Sequence, residues 1–355
     1  MASDVADGST GSEPSSHLVR EVVGIADVAR SAGVSMMTVS RVINDKPGVG
    51  KDTRERVRQV MKDLNFKPNT AARTLRTGRG NAVGIICLAT TLYGPAVTLF
   101  GVEQAARAAG FSVNVISIDT ITRASLEQAM VQLSQVPVAV VIVISPLSSS
   151  AGALRDLPGN LPALAIWAPS DIGIAVAAVD HQRAAANATK HLLDLGHDTV
   201  HHVSGPVGWT GTEQRIAGWR EALEKAGRVV PEPVEGDWTA QSGCQAGLQL
   251  LPDPAVTAIF AANDQMALGV LQAARVLHRT VPESLSVVGY DDGPDSAYYS
   301  PPLTTMRQDF KLLGERALRR ALTTIGHRAA PTVDTLFEPE LIVRESTGPA
   351  PKPQR

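Results

Sequence analysis

Cysteine is nearly absent. The chain of 355 residues has two, Cys87 and Cys244, far apart in sequence. That gives no disulfide framework and fits a reducing, cytoplasmic setting. Cys87 lies in an apolar run that reads as a buried strand. Long hydrophobic runs are missing too. No segment approaches the roughly 20 apolar residues of a membrane-spanning helix, so no membrane partner is expected. The opening stretch, MASDVADGSTGSEPSSH, is polar and acidic and holds no apolar core of a signal peptide. Residues 1–20 therefore read as a disordered tail. Signatures of chemistry are also missing. There is no GxxxxGK phosphate loop and no local nucleophile–base arrangement. His201 and His202 are neighbours in a predicted strand, so they point to opposite faces and cannot easily share one ion. No Cys/His spacing resembles a zinc site. The chain reads as a non-enzyme with no metal and no cofactor.

Net charge is small, −2, but it is unevenly spread. Residues 20–79 hold 13 Lys/Arg against 6 Asp/Glu, a balance of +7. With the acidic first 19 residues at −3, residues 80–355 carry −6. A basic block on an acidic body is the electrostatic footprint of a nucleic-acid-binding head.

Within that block, residues 25–44, IADVARSAGVSMMTVSRVIN, read as two short helices and a tight turn. Ile25, Val28, Ala29 and Ala32 repeat as one apolar face. Gly33 supplies the stop, because glycine enters the left-handed region without steric penalty. Ser35 caps the second helix, with Val39 and Ile43 facing inward. Met36, Met37, Ser40, Arg41 and Asn44 are left outside. This is the pattern of a helix-turn-helix, whose second helix fits the major groove of DNA. A plain helical hairpin would share the apolar spacing but has no use for the charge.

A third helix is predicted over residues 51–65, with Val57, Val60, Met61 and Leu64 as its stripe and Phe66 as a plug. Lys67-Pro68-Asn69 interrupts it. The segment TAARTLRT that follows is too short and polar to be helical alone, and DNA is the natural agent to order it. From residue 81, Val/Ile-rich runs alternate with helical stretches: AVGIICLA, VEQAARAAG, SVNVISI, LEQAMVQLSQ, VAVVIVI. After the extended segment at 175–179 a second series begins: AAANATKHLLDLG, TVHHVSG, QRIAGWREALEKAG, TAIFAA, QMALGVLQAARVL, LSVVGY. The predicted class is α/β: two doubly wound parallel-sheet subdomains with a cleft at the strands' carboxyl ends, plus a small all-α head. Residues 346–355, STGPAPKPQR, read as a second disordered tail. No leucine heptad occurs there to join dimers.

Residues 23–78, with ADVARSAGVSMMTVSRVIN, TRERV and KPNTAARTLRTG, resemble the DNA-binding head of the lac repressor family. EGDWTAQSG (235–243), ANDQMALG (262–269), SVVGYDDGPDS (286–296) and PPLTTMRQDFKLLG (301–314) resemble its body, down to residue 345. The resemblance implies a ligand-responsive transcriptional regulator. Such a protein is a repressor that binds a near-palindromic, double-stranded operator as a homodimer and senses a small effector, a sugar or glycoside. It implies a head at 21–68, a hinge helix and linker at 69–80, and a body at 81–345. The body would divide into an N-subdomain (about 81–179 plus 309–338) and a C-subdomain (about 180–308 plus 339–345). A solute-binding transport protein would share the body but would need export and no head.

By the same resemblance, Met36, Met37 and Arg41 fall where base edges are read. A guanidinium suits guanine O6 and N7, whereas methionine suits a thymine methyl or a loose packing contact. Ser35, Thr38, Ser40, Asn44, Thr53 and Asn69 carry polar groups expected at phosphates. Leu75, with Ala72 and Arg73, matches a minor-groove wedge, though Leu75 could instead pack on the body. Gly24 and Gly50 stand where Ser or Thr caps are common. In the body, Arg215, Trp238, Asn263, Asp291, Gln308 and Phe310 fall on effector positions. Polar groups would meet hydroxyls there, and flat rings would meet the C–H face of a pyranose. Asp291 could instead cap a turn, and Trp238 could be core. Trp167, after PALAI, replaces an acid of related sequences and should change which hydroxyl is read.

Overall fold

The computed structural model describes residues 23–43, 45–66, 80–88, 91–157, 161–169, 172–325 and 333–352. They fall into two units, 1–76 and 77–355, each with its own core.

In the first unit, α1 (Ile25–Ala32) buries Val28, Ala29 and Ala32. Gly24 starts it, and the Asp27 carboxylate accepts the Gly24 N–H at 2.9 Å, so the missing cap side chain is supplied from inside the helix. Gly33 ends it at φ 63°, ψ 37°. Ser35 Oγ accepts the Thr38 N–H at 3.1 Å and opens α2 (Met36–Ile43). Val39 and Val42 are the buried residues of α2, and Ile43, expected inside, is half-buried. In α3 (Lys51–Asp63), Val57 is fully buried, while Val60, Met61 and Leu64 line the core's edge. This helix stops two residues before its predicted end. Asn65 turns left-handed at φ 48°, and the Phe66 N–H reaches back to the Met61 carbonyl at 2.8 Å. Asparagine tolerates that conformation better than most side chains.

The second unit carries two sheets. β1 (Ala82–Cys87), α4 (Tyr93–Ala108), β2 (Ser112–Ser117), α5 (Arg123–Leu133), β3 (Val138–Ile144), α6 (Ala151–Arg155), β4 (Ala163–Ile166) and β5 (Ala175–Val179) build the first lobe. α7 (His181–Asp194), β6 (His201–Ser204), α8 (Thr210–Lys225), β7 (Val234–Glu235), α9 (Ala240–Leu250), β8 (Ala258–Ala261), α10 (Asp264–Val276), β9 (Ser286–Asp291) and β10 (Thr304–Arg307) build the second. α11 (Phe310–Thr323) and β11 (Val333–Phe337) return to the first lobe, and β12 (Glu340–Ile342) to the second. The sheet orders are β11-β5-β4-β3-β1-β2 and β12-β10-β9-β8-β6-β7. All pairings are parallel except β12 with β10, at an edge. Every residue of β1 and β3 is buried, as helices on both faces require.

α4 begins at Tyr93, nine residues before the predicted stretch, because Pro95 lies in the first turn, where a missing N–H costs nothing. α6, α9, α11, β7 and β10 to β12 are not separately predicted. The last segment corrects an expectation. Residues 346–352 are not a loose tail. Ser346 is fully buried, donates to the Val287 carbonyl at 2.6 Å and accepts the Thr304 N–H at 2.8 Å. The Gly348 N–H donates to Ser286 Oγ, and the Ala350 N–H donates to the Leu195 carbonyl. Pro349 and Pro351 remove donors, but Ser346, Gly348 and Ala350 still hold the segment against β9, β10 and α7.

The chain passes between the lobes three times: at Asp180, at 308–309 and at 338–339. Asp180 and Asp309 cap α7 and α11, accepting the Arg183 and Leu312 N–H groups at 2.9 and 2.8 Å. A further clasp joins the lobes by a two-residue antiparallel bridge between Leu147 and Trp209. The Ser148 N–H donates to the Gly208 carbonyl and the Thr210 N–H to the Pro146 carbonyl, both at 2.9 Å. Ser148 Oγ lies 3.0 Å from Glu213 Oε1.

Candidate functional site

A cleft of about 290 Å³ lies between the two lobes of the body. It opens at the carboxyl ends of both sheets, where doubly wound folds place their ligands. Trp167 follows β4, Trp238 follows β7, Asn263 follows β8, Asp291 ends β9, Gln308 follows β10 and Phe310 opens α11. Arg215 reaches in from α8. All seven line this one cleft, although they span 144 positions of sequence from Trp167 to Phe310.

Three of them sit in left-handed backbone: Trp167 at φ 64°, Trp238 at 73° and Asp291 at 115°. Such conformations disfavour large side chains, and they concentrate where a scaffold holds residues for a ligand. Arg215 is buried. Its Nη1 donates to the Ala262 carbonyl at 2.8 Å, and its guanidinium stacks 4.0 Å over the Tyr290 ring and 5.5 Å from Trp238. Gln308 Nε2 donates to Asp291 Oδ1 at 2.7 Å. Among the described residues, Arg215 Nε, Gln308 Oε1, and the indole nitrogens of Trp167 and Trp238 have no hydrogen-bond partner. Buried polar atoms are rarely left so, and their grouping here marks a recognition surface.

Asn263 departs from its expected part. Its Oδ1 caps α10 by accepting the Met266 N–H at 2.8 Å, and its Nδ2 donates to the Trp238 carbonyl and to Gln265, both at 3.0 Å. Both of its donor hydrogens are used in shaping the wall. The sequence reading also missed Tyr93, His181, Trp209 and Gln214, which line the same cleft. His181 is the first residue of α7, with Nδ1 2.9 Å from the Tyr290 hydroxyl. Burial, and then Arg215, hold its pKa well below the usual imidazole value. The Ala-rich sequence around it carries no signal of a site.

Burial pushes Asp291 up to about 7, against the pull of Arg215. Asp264, first in α10, is pushed up to about 6, although Ser296, Thr305 and the Gly293 N–H all donate to it. For an acid raised in the fold, the stability it confers is full below its unfolded pKa and is lost as pH rises through the folded one. The stability of wild type relative to Asp291→Asn is therefore expected to fall between about pH 4 and 7 and to level above. The total change should be on the order of a few kcal/mol. Urea titrations of both proteins across that range check this. A flat difference would mean that the fold leaves the Asp291 pKa at its unfolded value.

On the head, Met36 and Met37 are 56% and 66% exposed, and Ser35 and Arg41 are exposed beside them. Thr38, Ser40 and Thr53 are half-buried. The Ser35 and Thr38 hydroxyls lie 2.9 Å apart. Arg54 and Arg58 both pair with Asp45, at 2.6 and 3.3 Å. Asn44, Asn69, Ala72, Arg73 and Leu75 lie outside the described residues. Among the described residues no group of three or more acidic, His or Cys side chains could hold a metal ion, and no helix is long and apolar enough to cross a membrane.

Residues 24–69 match the bacterial regulatory proteins of the lacI family, and residues 189–347 match the periplasmic binding protein-like domain. The chain is 34% identical to the lactose operon repressor of Escherichia coli (strain K12) over 334 residues, covering 94% of this chain and 92% of that one. It is 33% identical to the lactose operon repressor of Klebsiella pneumoniae, covering 93% and 94%. Its structure resembles that of the lac repressor dimer bound to operator and the anti-inducer ONPF, with TM-score 0.81 and 33% identity over 92% of this chain and all of that one. The helix-turn-helix head, the two-lobed body and these likenesses agree: the chain belongs to the lacI family of bacterial regulatory proteins, ligand-responsive DNA-binding transcriptional repressors.

Proposed function

We propose that this protein is a dimeric repressor that binds a near-palindromic operator through residues 21–68 and releases or tightens it when a sugar or glycoside enters the body's cleft. What most supports the effector half is that seven residues scattered through the body's sequence line one cleft with orphaned polar atoms. The DNA half rests on the exposed outer face of α2 and the +7 balance of residues 20–79. In this reading Arg41 reads a base edge and Met36 and Met37 contact apolar base surface. Ser35, Thr38, Ser40, Asn44, Thr53 and Asn69 meet phosphates, and Leu75, with Ala72 and Arg73, wedges the minor groove. The protein works in the cytoplasm at the nucleoid.

Titration of duplex DNA at several salt concentrations tests this. Affinity should fall steeply with salt, because neutralised phosphates release counterions. Arg41→Ala should cost about 1–3 kcal/mol at the preferred sequence and relax selectivity at one position. Binding that ignores salt, or an unchanged site preference in the variant, would count against the reading.

A further inference from the structure

The geometry points to a narrower ligand class: the cleft takes an uncharged saccharide of two linked rings, one on each lobe, and excludes anionic sugars. This rests on the reading of the cleft as an effector site and adds the shape and charge of what fills it.

Aromatic residues are scarce, 4% of the chain, yet three of its four tryptophans line this cleft. They form two separate groups. Trp209 and Trp238 belong to the second lobe, with ring centres 5.4 Å apart and planes at 66°. Trp167 belongs to the first lobe, edge-on to Phe310 at 5.9 Å, and Phe310 meets Tyr93 at 5.7 Å. The polar groups are divided differently. Arg215, Asp291 and Gln308 cluster towards the second lobe's strands. The first lobe offers Leu92, Pro95, Ala168 and Val179 around its rings. A ligand that fits both walls therefore has a richly hydroxylated ring at the second lobe. At the first lobe it presents a flat ring, read mainly through its C–H face.

Both platforms are held before any ligand arrives. The Trp167 backbone N–H donates to the Ala177 carbonyl at 3.0 Å, and Trp209 is fixed by the clasp to Leu147. Rigid rings lose little freedom on binding, so their contact area is converted efficiently into affinity. The charge is equally selective. Among the described residues, Arg215 is the one Lys or Arg in the lining, and its guanidinium already serves the Ala262 carbonyl and the Tyr290 face. A phosphate or carboxylate would be stripped of water beside Asp291 with no second cation to answer it.

Calorimetry on the full-length protein with cellobiose, lactose, maltose, glucose, glucose 6-phosphate and guanine tests this. At least one neutral disaccharide should bind about tenfold or more tighter than glucose, and glucose 6-phosphate should bind more weakly still. Trp167→Ala should weaken the disaccharide about tenfold, the scale of one lost ring contact, and change glucose little. Trp167→Phe should keep most of the affinity, and it carries the test if the alanine variant does not fold. Glucose or its phosphate binding as tightly as every disaccharide would overturn the two-ring site. So would Trp167→Ala weakening glucose and disaccharide alike. The underlying sugar reading fails differently: guanine binds and no saccharide does, or no saccharide changes operator affinity.

Discussion

Val57→Asp is expected to abolish DNA binding while leaving the body's melting transition and its effector affinity as in wild type. Val57 is fully buried, at the meeting of all three helices of the head. The buried core around it is small: Val28, Ala29, Ala32, Val39 and Val42. A domain of this size has little stability to spare. Burying an unpaired carboxylate there costs several kcal/mol, enough to unfold it. The body has its own cores, on both faces of each sheet. Operator titration, effector calorimetry and scanning calorimetry should report loss of the first activity alone. Wild-type operator affinity in this variant would mean that the three helices do not share the core described.

Periodicity made the head legible. Val28, Ala29, Ala32 and Val39 are core, Gly33 is left-handed, Ser35 is a cap, and Met36, Met37 and Arg41 face out, all from spacing and turn chemistry. The alternation of apolar runs and helices likewise gave both sheets, because buried parallel strands cannot avoid Val and Ile. What failed was whatever depends on distant partners. Gly94-Pro95 looks like a loop until its place in a first turn is known; a Cβ on Gly94 would lie 3.1 Å from the Phe310 ring. The Pro-rich end looks unstructured, yet Ser346 and Gly348 find partners on β9, the Val287 carbonyl and the Ser286 hydroxyl.

The cleft shows the same division. Resemblance placed Arg215, Asp291 and Gln308 in it, but composition alone would not have done so. Trp209 carried no sequence signal, because it lines the cleft through the clasp with Leu147, 62 residues earlier. Asn263 was named for its amide, and the structure shows that amide committed to capping α10 and holding Trp238. A residue type can be read from the chain, but the number of its hydrogen bonds already used cannot.

The largest effect within the cleft is expected from Arg215→Met. The methionine keeps much of the stem's volume, so the change removes chiefly the charge and the donors. The Ala262 carbonyl then loses its partner, and the Tyr290 face loses its cation. A hydrogen bond from a charged donor to a neutral hydroxyl contributes about 1.5–3 kcal/mol, so effector affinity should fall by roughly one to two orders of magnitude. A second consequence has a definite sign. Arg215, ahead of the Gln308 hydrogen bond, holds Asp291 down against burial. Without it the carboxyl stays protonated to a higher pH, and the ionised acceptor that a sugar hydroxyl would use appears later in the titration. Residual effector binding in the variant should therefore shift its pH dependence upward relative to wild type. Arg215→Lys keeps the charge but not the planar fork that stacks on Tyr290 while donating to Ala262, so it should rescue the pH dependence better than the affinity. DNA binding without effector should be retained in both variants, because the head has its own core. Calorimetry at three pH values and operator titration with and without effector separate these effects. Effector affinity within about threefold of wild type in Arg215→Met would remove Arg215 from the centre of the site.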